Sequence, residues 1–132
     1  MIRKSLMALT LTAPLIATPA FAQDPAEGIW TTQPDNNGNY GTVQILPCEN
    51  RICGVLTGAF DGSGAPLPSE NIGRAIVWDM QPRGDGSYEN GKVFSPDQGR
   101  TYNAKMALRG DQLGVAGCVL GFCREQTWTR AR

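Results

Sequence analysis

From Gly28 onward, short runs in which apolar and polar residues alternate are separated by clusters of Gly, Pro, Asn and Asp. A period of two puts every second side chain on one face of a strand, and the separating residues are those that make turns. The pattern predicts strands over 28–32, 40–46, 52–58, 74–80, 88–94, 100–108, 113–118 and 123–130. Turns fall at 34–39, 47–51, 83–86, 95–99 and 109–111, and a longer loop spans 59–73. Past residue 22 no apolar 3.6-residue period runs long enough for a helix, although 68–74 has room for one turn. About eight short strands on short links predict an all-β domain, a small antiparallel up-and-down β-barrel. A β-sandwich is the alternative that strand count leaves open.

Alternation also assigns faces. Tyr102, Ala104, Met106 and Leu108 share one side of their strand, and Ile76, Trp78 and Met80 share one side of theirs. Both rows read first as core. In the last strand Arg124, Gln126, Trp128 and Arg130 lie on one face, with Glu125, Thr127 and Thr129 on the other. If Trp128 points inward, so do Arg124 and Gln126, a pair able to anchor a carboxylate or phosphate head group. Against that stands the common use of terminal-strand charges for packing or solvation. Arg124, Gln126, Tyr102 and Trp78 are therefore the candidate ligand-contacting residues.

The start of the chain changes the picture of where this domain works. Arg3 and Lys4 precede an apolar stretch over 6–16, and Ala20-Phe21-Ala22 has the small-residue form of a leader cleavage site. Residues 1–22 read as a signal peptide and 23–132 as one domain, exported to the periplasm or secreted. The stretch is too short to remain as a spanning helix, and Gln23 in place of Cys gives no support to a lipid anchor. Loss of Arg3 and Lys4 leaves ten basic residues against twelve acidic ones, a net charge of −2. That balance lacks the basic footprint nucleic acid demands, and no cationic amphipathic helix is present to hold a membrane stably.

The chain has no histidine. Ser-His and Cys-His nucleophile systems are thereby excluded, and the commonest metal ligand is missing. The four cysteines, Cys48, Cys53, Cys118 and Cys123, form two C-x4-C pairs at predicted hairpins. An even count in an exported chain points to disulfides. Three connectivities are allowed, and local pairing is favoured because short spacings meet across a turn. The spacing is formally compatible with thiolate zinc knuckles, but an oxidising compartment and strand context oppose it. No metal or cofactor is expected. Asp35-Asn36-Asn37-Gly38-Asn39 and Asp61-Gly62-Ser63-Gly64 lack the spacing and closing Glu of an EF-hand loop and read as turns. Glu49, Asp79, Glu89 and Asp97 are available for paired-carboxylate chemistry, yet nothing selects a pair, and no catalytic residue is assigned.

The two ends of the domain resemble those of lipocalin-like barrels, where G-x-W in the first strand packs beneath an arginine of the last. Gly28-Ile29-Trp30 and Thr127-Trp128-Thr129-Arg130 supply these parts, giving Trp30, Trp128 and Arg130 structural roles, with the guanidinium stacked on an indole. Beyond the ends, three segments carry a more specific likeness: Cys48-Glu49-Asn50-Arg51-Ile52-Cys53-Gly54, the run from Gly91-Lys92-Val93-Phe94 through Ser95-Pro96-Asp97-Gln98-Gly99-Arg100-Thr101-Tyr102, and Trp128-Thr129-Arg130. With them the chain resembles a bacterial exported family catalogued as domain of unknown function 2147. The likeness implies an exported β domain and transfers no catalytic residue. Cys118 and Cys123 look like an addition to the pattern, and the 61–73 loop lacks an Asn-Pro element expected there.

The residues favour a binding module for a small lipophilic, amphipathic or anionic molecule in the cell envelope. A side-chain-filled barrel working through its loops on an envelope protein is the second reading, with an exposed apolar patch expected near 59–72. A carboxylate-based enzyme ranks last. The leader itself is directly testable: N-terminal sequencing of the exported protein is expected to start at Gln23, and an intact Met1 in the mature product would refute the cleavage site.

Overall fold

The computed structural model describes residues 23–131. The expected leader, residues 1–22, lies outside the described residues. Eight strands follow in order: β1 (Gly28–Thr31), β2 (Tyr40–Cys48), β3 (Arg51–Phe60), β4 (Ala75–Pro82), β5 (Ser87–Ser95), β6 (Arg100–Arg109), β7 (Gln112–Val119) and β8 (Phe122–Arg130). Each pairs antiparallel with the next, and β8 returns to β1, closing the sheet into the expected up-and-down barrel. A sandwich needs two separate layers; here one sheet closes on itself. Most strands outrun their predicted ends because the turns are tighter than expected. Pro47, for example, remains in β2 opposite Ile52, leaving Glu49-Asn50 as the whole turn.

Inward positions sort by height. The lower barrel is solid, filled by Trp30, Val43, Ile45, Ile52, Val77, Met80, Tyr88, Met106, Leu113 and Trp128, all buried. Two strand glycines make room for this packing. A Cβ on Gly54 would lie 2.8–2.9 Å from Val77, Ile45 and Val43, and one on Gly91 would lie 2.4 Å from the Met80 sulfur. Glycine in a strand interior is otherwise unfavourable, so its presence marks close packing.

Closure across β1 and β8 is short: only Trp30↔Arg130 and Thr31↔Thr129 are in register. Side chains compensate. The Arg130 guanidinium stands 4.3 Å from the Trp30 ring centroid. It also donates to the backbone carbonyls of Glu27 at 3.0 Å and Pro25 at 2.7 Å. The Trp30 indole N–H donates to the Ala26 carbonyl at 2.8 Å. The turn over 24–27 is thereby drawn under the barrel as a floor, with Ala26 fully buried. Tyr88 reaches the same floor, its hydroxyl donating to Asp24 Oδ1.

The expected common face of Ile76, Trp78 and Met80 does not form. On β3 the step from Val55 to Gly54 is one residue, while on β4 it runs from Ala75 to Val77. A second irregularity follows at Asp79, whose φ is 57°. These β-bulges bury Ile76, Val77 and Met80 together and leave Trp78 half-buried opposite Lys92, packed against the edge of the core. Both cysteine pairs close locally, Cys48 with Cys53 and Cys118 with Cys123. All four sulfurs are thereby engaged, which rules out zinc knuckles.

Arg130→Ala removes the stacked cation and two charge-assisted hydrogen bonds at once. Urea unfolding is expected to show a loss of about 2 kcal/mol, with the midpoint lowered. Alkaline pH provides a second readout. Burial, reinforced by the neighbouring Asp24 carboxylate, raises the Tyr88 pKa above its ordinary value. A raised folded-state pKa gives stability that is complete below the unfolded value of about 10 and lost as pH climbs toward the folded one. Stability is expected to fall above about pH 10, and Tyr88→Phe is expected to flatten that fall in a pH series of chemical denaturations.

Candidate functional site

Because strands alternate in direction, the loops after β1, β3, β5 and β7 gather at one end, opposite the Trp30–Arg130 floor. There the barrel is hollow. A cavity of about 890 Å³ opens between these loops and descends to Val43, Leu56, Ile76, Val115 and Trp128. Its size lies within the ordinary range for small-molecule sites. The apolar floor follows from alternation along β2, β3 and β7. Gly41 and Gly117 lie in its wall, where a Cβ would press on Leu56 and on Val93 and Tyr102 respectively.

Arg124, Gln126 and Trp128 all line this cavity, one above another on β8. Register explains it: Leu113↔Trp128, Val115↔Gln126 and Gly117↔Arg124 alternate down the β7–β8 ladder. Arg124 has no hydrogen-bond or ion-pair partner among the described residues. Gln126 Oε1 accepts a long contact, 3.5 Å, from the Trp128 indole N–H. Tyr102 also lines the cavity, opposite Val93, and its hydroxyl is turned to Gln98 Oε1 in the β5–β6 turn. Trp78 is not in the cavity lining: the bulges in β4 set it opposite Lys92, packed against the core instead. Of the four sequence candidates, three thus come together and one does not.

The rim is built largely from residues that pattern reading passed over. Tyr40 and Phe60 stack with centroids 5.4 Å apart, and the Arg74 guanidinium lies 3.5 Å over the Phe94 ring. Their signal was present in the register Tyr40↔Phe60, but pairing of distant strands cannot be seen in a linear pattern. The Asp35–Asn39 and Asp61–Gly64 segments are turns, as expected, and of the Asx type. Asp61 Oδ1 accepts from the Ser63 and Ala65 amides, and these bonds, led by the Ser63 hydroxyl, hold its pKa below the usual carboxylate range. Asp35 Oδ1 likewise accepts hydrogen bonds from the Asn37 and Asn39 amides. The four carboxylates considered for catalysis are scattered: Glu49 lies in the bottom β2–β3 turn and Asp97 at the open end, while Glu89 is paired with Arg83 at 3.0 Å.

The wall is incomplete on one side. β1 stops at Thr31, whereas β8 continues up to Phe122, so Arg124 and Gln126 face the 32–35 segment without a backbone ladder between them. The Gln33 side chain partly substitutes for a strand, its Oε1 accepting the Thr127 amide at 2.9 Å.

Over residues 28–130, which span every strand and nearly all of the cavity wall, the chain matches the family model described as an uncharacterized protein conserved in bacteria, DUF2147. The chain belongs to this family. The barrel described above is therefore that of a DUF2147 member. Its fold is similar to that of a solved protein, HP1028 from the human pathogen Helicobacter pylori, described as belonging to the lipocalin family. The TM-score is 0.64 at 19% identity, covering 80% of this chain and 82% of that one. At that identity the likeness shows the fold alone. No curated protein matches the chain. Among the described residues no helix is long and apolar enough to cross a membrane.

Proposed function

We propose that this DUF2147 barrel binds a small amphipathic molecule in the cell envelope, with its apolar part on the cavity floor and an anionic or strongly polar group at Arg124 and Gln126. The observation that carries this reading is an exposed, unpaired guanidinium on the wall of a cavity whose floor is apolar and whose upper lining is polar. The guanidinium is committed to no other group of the described residues, and a bound carboxylate or phosphate engages it with directional, charge-assisted hydrogen bonds. Gln126, one step lower, adds an amide donor between the head group and Trp128. Tyr102 supplies a third polar contact from the facing wall when its hydroxyl turns from Gln98. The two disulfides agree with a site that works outside the reducing cytoplasm, where the leader-like start would deliver the chain.

The expected behaviour is specific to charge. A fluorescent long-chain carboxylate is expected to bind, and Arg124→Gln to weaken it about tenfold or more, the size of one charge-assisted hydrogen bond. The methyl ester of the same probe is expected to be indifferent to that substitution. Failure of the wild-type protein to take up either probe, together with no retained mass in native mass spectrometry, would refute the reading.

A further inference from the structure

The β7–β8 turn is built against the usual chemistry of such turns. Val119 pairs with Phe122, leaving Leu120-Gly121 as a two-residue loop. Both loop residues have positive φ, 50° at Leu120 and 83° at Gly121. Two consecutive positive φ values are the signature of a type I′ turn, in which Asn-Gly or Asp-Gly is strongly preferred. An L side chain other than Asn or Asp resists this conformation, and leucine has no local hydrogen bond to offer in return. Leu120 is nevertheless there, and it is 94% exposed, beside Phe122 at 83% and Val119 at 50%. The Cys118 and Cys123 disulfide lies directly beneath, in register across the hairpin, and holds the turn closed. The result is a narrow apolar point, clamped at its base and projecting from the open end. The apolar patch expected near 59–72 is much weaker, with only Ile72 half-exposed.

Two features identify what this point meets. First, it is continuous with the cavity: Val119 and Phe122 line the mouth, while Leu120 stands outside it. Whatever covers the point also faces the opening. Second, its shape and charge suit a fluid surface better than a protein. Three side chains on one convex turn fall far short of the roughly 800 Å² that a stable protein partner covers on each side. No cationic cluster surrounds it either: Arg74 is stacked on Phe94, and Arg100 and Arg124 share this end with Asp35, Asp61 and Asp97. We infer that the Val119-Leu120-Gly121-Phe122 turn dips reversibly into the surface of a lipid bilayer, bringing the cavity mouth to the layer from which an amphipathic ligand enters or leaves. This rests on the binding role proposed above for the cavity.

The decisive substitution is Leu120→Asn. It restores the preferred turn residue and does not touch the cavity lining, so the fold and solution uptake of the carboxylate probe are expected to survive, with a raised melting temperature. The chain from Gln23, which contains the whole barrel, is mixed with phosphatidylcholine vesicles and floated on a density gradient. Wild type is expected to float, Leu120→Asn to partition about tenfold less, and Leu120→Trp to float with a blue-shifted indole emission. Binding is expected to persist at high salt and without anionic lipid. Absence of flotation, flotation unchanged in Leu120→Asn, or binding confined to anionic vesicles and removed by salt would each overturn the inference. So would self-association that depends on Leu120 without vesicle binding. Leu120-dependent flotation without probe uptake would uphold bilayer docking while removing the cavity reading, so the two fail separately.

Discussion

The stacking of Arg130 on Trp30 is the contact on which the barrel depends. β1 contributes four residues and only two register pairs to the seam with β8, too few to close a sheet unaided. A guanidinium placed over the indole and bonded to two carbonyls of the preceding turn joins the first strand, the last strand and the floor in one cluster. The same cluster explains why the molecule is solid at one end. Trp30 fills the base, Ala26 is pulled beneath it, and Tyr88 locks the turn through Asp24. Each group is satisfied by its neighbours, as a buried polar cluster must be to hold.

The open end follows from the same asymmetry. With the strands tied at the base, the upper wall is free to be thin. β1 ends early, and the alternation that places Trp128 in the core carries Gln126 and Arg124 upward into the hollow. A charged side chain at that height costs little without a ligand, because the mouth admits water, yet its position on a rigid strand aims it at whatever occupies the floor. Rigid placement of a few polar groups over an apolar surface is how such pockets combine affinity with orientation.

The β7–β8 hairpin shows a different trade. Its disulfide and in-register ladder define the turn so firmly that a leucine can be held where asparagine would be more comfortable. Strain tolerated at an exposed position is a frequent mark of a surface kept for contact. Here that surface adjoins the cavity mouth, and the Cys118–Cys123 disulfide secures it.

Period-two alternation, turn residues and the paired cysteines pointed to an eight-stranded antiparallel barrel with local disulfides, while the choice against a sandwich and among the three cysteine pairings waited on the closed register. The inward direction of Arg124 and Gln126 was also legible, since β8 runs without a bulge and Trp128 sets its phase. Where a strand is interrupted, that logic fails. The bulges at Ile76 and Asp79 shift the phase of β4 and take Trp78 out of the cavity wall, and nothing in the local pattern announces them, because a bulge answers to the packing of Gly54 against Val77 across the sheet. The rim pairs Tyr40–Phe60 and Arg74–Phe94 were equally hidden, being contacts between elements distant in the chain. Only the tertiary structure decided that the barrel is filled below and hollow above, because that depends on how side-chain volumes from eight strands sum at each height.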